Sequence, residues 1–342
     1  MKKLFFSLVV AIVATTATYA QSTMVATLNH EGTVTVFHGA TGFSEALTAA
    51  KHGDEITLSA GRFTAVNISK AVTIRGAGFE EDTVSITFPT VIVNDFWIDI
   101  PDSVTQKLTF EGVYCNSTIH IKGTLRNAMF QKCRFNGVSN DGTATYPCGI
   151  YNMTFANCRA NSLDFRNAST HIATQVNCIN SVIGYPKNHG GSSDWMEFTN
   201  CVVYGDNTSV PYNSIFHNCI LYKNGGIYSF VLDSSNCAYY CVGYSGSIDN
   251  IFKNINNSSN TVNADLTNGR NAKMFKSGSY YELTDDAKAK YVGGDGTEVG
   301  IYGGNLPWNP NVLAPTITKC EVANKTTSDG KLSVNIEVRA AE

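Results

Sequence analysis

Little of this chain is charged: Asp, Glu, Lys and Arg make up 15% of its 342 residues, 25 of them basic and 28 acidic. A net charge of −3 leaves nothing basic enough to attract nucleic acid or an anionic membrane, which excludes both as partners. Long helical patterns are nearly missing, which argues against a helical solenoid. No stretch carries Leu-x-x-Leu-x-Leu, the phrase a leucine-rich repeat needs in every copy. The ten cysteines include no Cys-x-x-Cys pair, so no metal site is expected, and no cofactor. No acid pair recurs at calcium-binding positions, and no two carboxylates stand out at glycosidase spacing.

What the chain does have is one short phrase that keeps returning. It reads Ala-Met-Phe-Gln-Lys-Cys at 128–133, Met-Thr-Phe-Ala-Asn-Cys at 153–158, Met-Glu-Phe-Thr-Asn-Cys at 196–201 and Ser-Ile-Phe-His-Asn-Cys at 214–219. Looser copies end at Cys115, Cys178 and Cys237, so successive cysteines lie 18, 25, 20, 23, 18 and 18 residues apart. A near-constant period with variable insertions marks a solenoid whose repeats stack on their neighbours. The alternation before each cysteine is that of a half-buried strand. Asn tolerates the left-handed conformation, which suits Asn157, Asn177, Asn200, Asn218 and Asn236 to sharp bends, stacked in an amide ladder. Cys158, Cys178, Cys201, Cys219 and Cys237 are then expected to point inward as a row of small buried side chains. Stacked coils bring such cysteines close, but parallel side chains suit the disulfide dihedral poorly, so free thiols are expected.

Residues 1–20 carry Lys2 and Lys3, then an apolar run at 4–13, then small residues ending at Ala20. This reads as a secretory signal peptide cleaved before Gln21, the run being too short to cross a bilayer. Its removal takes the net charge from −3 to −5, and the mature chain is expected in the periplasm, on the surface or outside a Gram-negative cell. Residues 21–53 read as a cap. Phe43, Leu47 and Ala50 share one helix face with Ala46 beside them, and Gly53 stands where a helix-terminating glycine belongs.

The next segment reads Gly53-Asp-Glu-Ile-Thr-Leu, Gly61-Arg-Phe63, then Ile68-Ser-Lys-Ala-Val-Thr-Ile-Arg-Gly76. It resembles the opening coils of right-handed parallel β-helix proteins of the pectate lyase-like superfamily. The resemblance covers residues 40–80 and, through the Asn-Cys coils, extends loosely to about 300. It implies an all-β, right-handed parallel β-helix over 54–304, and at a coil of about 22 residues roughly eleven turns. That fold hosts lyases, glycosidases, adhesins and inert scaffolds, so it names no activity. Val299-Gly-Ile-Tyr-Gly-Gly304 is followed by a connector with Pro307, Pro310 and Pro315, then by a hairpin pattern within 305–342. This tail looks like the ends of secreted β-helix proteins of the Bacteroidetes.

Two groups could carry function. Arg134 and Arg159 each follow a cysteine and should lie one coil apart, where they could bind an acidic sugar or form a charged face bridged by Asp164. The insertion at 184–195 brings Tyr185, Lys187, His189, Asp194 and Trp195 together, with Glu197 following. Its aromatic faces suit sugar rings and its polar groups suit hydroxyls. If each cysteine points in, Ile179, Val202, Ile220 and Ala238 form an outward apolar stripe that something must cover. The recurring residues all serve stacking. The expectation is therefore an exported, non-catalytic, adhesin-like scaffold that binds glycan or another surface component. A polysaccharide lyase or glycoside hydrolase is the alternative.

Overall fold

The computed structural model describes residues 24–80, 88–141, 147–166, 171–206, 210–223, 231–244, 251–252, 254–255, 257–264, 274–311, 316–326 and 330–339. The signal segment read at 1–20 lies outside them. The chain is all-β, 46% strand and 6% helix, wound as a parallel β-solenoid of about 8 turns. One sheet stacks Glu55–Leu58, Thr73–Arg75, Leu108–Glu111, Ala128–Gln131, Cys148–Ala156 and His171–Ile179, then Trp195–Thr199, Ile215–His217, Cys237–Tyr239 and Asn257–Ser259. The second runs beside it from Gly61–Thr64 to Val262–Asn263. Both ladders are parallel from coil to coil.

The Phe positions stack as expected. Phe110, Phe130 and Phe155 pair in register with ring centroids 5.4 and 5.0 Å apart, and Phe198 lies 4.8 Å from Phe216. All five are fully buried, each contributing roughly 1.5–3 kcal/mol. Lys132, Asn157, Asn180, Asn200, Asn218, Tyr240 and Asn260 take φ between 44° and 54°, the left-handed corner that turns the chain from the first sheet to the second. The residue after each corner but the last points inward, as Cys133, Cys158, Ser181, Cys201, Cys219 and Cys241. Cys115, Cys133, Cys148, Cys158, Cys178, Cys201, Cys219, Cys237 and Cys241 are free thiols.

Two copies of the phrase sit elsewhere. Cys178 pairs with Phe155 and Phe198, so it occupies the Phe row, and Asn177 faces outward between Thr154 and Glu197. Cys237 pairs with Ile215 on the outer face of the first sheet, while Asn236 is buried one position before it. The corner falls at Asn180, three residues after Asn177, and at Tyr240, four residues after Asn236. Register follows the inward alternation Val176, Cys178 and Ala238, and that alternation outweighs the local preference of an Asn-Cys dipeptide.

The thiol row has a hydrogen-bonding reason. At a left-handed corner the next N–H leaves the ladder, and the coil above supplies a side chain to receive it. Cys201 N donates to Cys219 Sγ and Cys219 N to Cys241 Sγ, both at 3.4 Å. Those thiols donate back to Phe198 O at 3.2 Å and Phe216 O at 3.4 Å. Ser181 does the same work, accepting from Cys158 N at 2.9 Å and donating to Phe155 O at 3.3 Å.

At the start, strands Val25–His30 and Thr33–His38 add antiparallel to the first sheet. Helix Gly42–Ala49 buries Phe43, Ala46 and Leu47 over the first coil, and Lys70 Nζ donates to its terminal carbonyls, Leu47 O and Thr48 O, at 2.8 Å. The last described stacked strands are Asn257–Ser259 and Val262–Asn263. Residues 274–311 do not continue the coils; they run back along the outside as a strap. Gly294 N and Gly300 N meet Asn218, Ile301 O and Gly303 O meet Asn180, Leu306 O and Asn309 N meet Asn157, and Asn311 O meets Lys132. The corner asparagines therefore grip the strap. Amide-to-amide bonds occur at Asn127–Asn152 and Asn136–Asn161 instead.

The strap answers what covers the apolar stripe. Val182, Val202, Ile220 and Val242 lie outward one above another, buried against Met274, Leu283, Val299, Ile301 and Trp308. Ile179 is half-buried on the first sheet, and Ala238 belongs to the inner core. Gly304 has φ +73°, and a Cβ there would sit 2.0 Å from Asn200 Nδ2, so only glycine permits this approach. A departed strap, with long early connections such as that between Thr73–Arg75 and Leu108–Glu111, explains the shortfall from eleven turns. Thr316–Thr326 and Leu332–Arg339 form the expected antiparallel hairpin, a separate sheet.

Candidate functional site

A third face is cut from the second sheet in its early coils. Phe96–Ile98, the later halves of Tyr114–Ile121 and Arg134–Asn140, Leu163–Asp164 and Pro186–Lys187 stack there in register. Phe96, Ile98, Ile119, Ile121, Val138 and Leu163 point inward and are buried. Trp97, His120, Ser139, Asp164 and Lys187 are left in one outward row, one residue per coil. Period-two alternation produces this row.

The Trp97 ring is 38% exposed and stacks on His120, with centroids 5.2 Å apart and planes 24° from parallel. His120 Nδ1 lies 3.1 Å from Ser139 Oγ, and its Nε2 lies 3.9 Å from Asp95. The Ser117 hydroxyl and the Thr118 N–H donate to Asp95 and hold its carboxyl below the ordinary value. Burial pushes Asp164 up, but hydrogen bonds from Arg166 and the charges of Arg166 and Lys187 outweigh it and bring it low. Arg166 Nη2 is 3.0 Å and Lys187 Nζ 3.6 Å from that carboxylate. Beside Trp97 a cleft of about 310 Å³ is lined by Asn67, Ser69, Asp99, Lys122 and Asp141. Lys122 Nζ pairs with Asp99 at 3.4 Å.

The insertion read from the sequence wraps a corner and does not form one site. Tyr185 takes φ 43° with its ring edge-on to Tyr204, and Lys187 joins the third face. His189 stacks on His171 at 4.4 Å. Asp194 is buried, accepting from Thr174 N at 2.6 Å and Gly191 N at 2.8 Å, and lies 2.6 Å from His171 Nε2. It staples the loop to the coil. Trp195 and Glu197 stand on the first sheet, beside Gln175 and Asn177. Arg134 and Arg159 are paired in register one coil apart, as expected. Asp164 does not bridge them, because it faces Arg166 and Lys187.

Trp97, Asp99 and Lys122 do not stand out in the sequence and His120 reads there as an isolated structural or solvent-facing residue, although a second, fainter repeat carries all four. Phe96-Trp-Ile-Asp99, Ile119-His-Ile-Lys122, Val138-Ser-Asn-Asp141 and Leu163-Asp-Phe-Arg166 each begin with an apolar residue and end with a charged one, with the outward-row residue second. Another cleft, of about 520 Å³ at the cap, is lined by groups that satisfy one another. There His30 Nδ1 lies 2.8 Å from Asp54 and Lys51 Nζ 3.0 Å from His30 Nε2. Among the described residues no group of three or more His, Cys, Asp or Glu is placed to hold a metal, and no helix is long and apolar enough to cross a membrane. No family model, no curated protein and no solved structure matches the chain.

Proposed function

We propose that this is an exported, non-catalytic β-helix scaffold that binds a glycan along the third face. The observation that carries the reading is the outward row headed by the exposed Trp97 ring and continued by one polar side chain per coil. An aromatic face suits the C–H face of a sugar, and side-chain donors and acceptors beside it suit hydroxyls. Coil spacing of about 4.8 Å is close to the length of one sugar unit, so a chain laid along the axis meets one row residue per unit. A general acid must be protonated near neutral pH, whereas Asp95 and Asp164 are both held low. That favours binding over turnover. Hydrolase or lyase chemistry is kept as a second reading by one feature: Asp99 and Asp141 line the same cleft, with Lys122 between them in coil order.

Export rests on Lys2, Lys3, the apolar run at 4–13 and Ala20. The test is to recover the mature protein from cells and incubate it with acidic and neutral polysaccharides, scoring retention and products together. The reading expects a chain beginning at Gln21, retention without cleavage, and at least about tenfold weaker retention for Trp97→Ala. Unsaturated or reducing-end products that vanish in Asp99→Asn would replace it with the enzyme reading. Cytoplasmic chain retaining Met1, or undiminished retention by Trp97→Ala, would overturn export or the face respectively.

A further inference from the structure

Away from the third face, at the strap's edge, two cations stand without counter-ions among the described residues. Arg134 and Arg159 are half-buried neighbours in adjacent coils. The Arg134 guanidinium lies 4.5 Å from the centre of the Tyr114 ring, and that of Arg159 lies 5.1 Å from Tyr280. Tyr114 and Tyr280 both pack into the apolar cluster beneath the strap. Arg134 Nε is buried with no acceptor, and so is the Tyr280 hydroxyl. Burial pushes that hydroxyl's pKa well up while Arg159 pulls it down, so it remains a protonated donor. Exposed Glu80 is close enough to raise Tyr280 but is not in an ion pair with either arginine.

Two like charges carried on backbones about 4.8 Å apart along the coil axis, and partly removed from water, are unfavourable unless an anion lies between them. Ring faces offset part of this but accept none of the N–H bonds. We infer that Arg134, Arg159 and the Tyr280 hydroxyl form a site for a tetrahedral oxyanion, a sulfate or phosphate ester group. Two forked guanidiniums and a phenol present more donors than the two oxygens of a carboxylate can take, whereas a sulfate or phosphate ester offers three. This site goes beyond the third-face reading and stands or falls separately.

The test uses the intact mature protein with inorganic sulfate, inorganic phosphate and acetate, each against sodium chloride at matched ionic strength. Sulfate or phosphate is expected to raise the melting temperature by about 2 °C or more, and acetate to do less. Whichever of the two anions acts more strongly identifies the ester. Arg134→Gln and Arg159→Gln should weaken the response at least about tenfold in anion concentration, Arg134→Lys should keep part of it, and Trp97→Ala should keep all of it. Should the Gln variants fail to fold, arginine-selective modification of the unaltered protein, read by mass spectrometry, replaces them. The anion should then shield Arg134 and Arg159 but not the exposed Arg62. A shift no larger than chloride produces, a shift that survives both Gln substitutions, or no shielding would overturn the site. Loss of glycan retention in Trp97→Ala with an intact anion response would leave both readings standing.

Discussion

At the scale of single residues, the buried cysteines act as hydrogen-bonding rungs at the corners. Burial pushes the Cys158 and Cys219 thiols well above their ordinary pKa, so they stay protonated donors and poor nucleophiles. Cys219→Ala would strip Cys201 N of its acceptor and Phe198 O of a donor. It should cost about 1–3 kcal/mol, the price of leaving a buried amide unpaired. Cys219→Ser should lose less than about 1 kcal/mol, because Ser181 already fills this role two coils away. Urea unfolding of both variants checks this, and equal losses would mean that the row matters only for volume. The phrase Phe-x-Asn-Cys made the row legible at Cys158, Cys201 and Cys219. It misled at Cys178 and Cys237, where the same dipeptide lies within or at the start of a strand. Only the alternation of neighbours such as Val176 and Ala238 tells the two placements apart.

Among the elements, the strap was the least legible. Its glycines at 300 and 304 stand out in the sequence, yet what they touch, Ile220 and Asn200, lies eighty or more residues away, and no local pattern records such pairing. The apolar stripe was visible at Val202 and Ile220 as a face needing a cover, and the strap is that cover. The third face left only a faint trace, because its outward row changes chemistry at every coil, from Trp97 through His120 and Ser139 to Asp164. Asn180 is one of the strap's polar holds, donating to Ile301 O at 2.9 Å and Gly303 O at 2.6 Å. Asn180→Ala should therefore destabilise by about 1–3 kcal/mol and also strain the corner, where φ is 44°. Asn180→Gly separates the two effects, keeping the corner while losing the hold. Limited proteolysis should cut both variants within 274–311 sooner than the parent chain. Unchanged cleavage would show that the apolar contacts alone seat the strap.

For the whole molecule, the division of labour follows from which surfaces are already occupied. The inward rows fill the core, the strap takes one outer side, and the cap closes the first coil. Among the described residues neither strap nor cap covers Trp97 on the third face, where Ser139 is buried and His120, Asp164 and Lys187 are half-buried, and a solenoid presents such a row as a straight track along its axis. The most direct test is to measure affinity for oligosaccharides of increasing length, built from whichever glycan the protein retains. The account predicts affinity rising with each added unit and levelling off at about five, one per coil from Trp97 to Lys187. Affinity that is already full for a single unit, or that keeps climbing well past the length of the row, would contradict it.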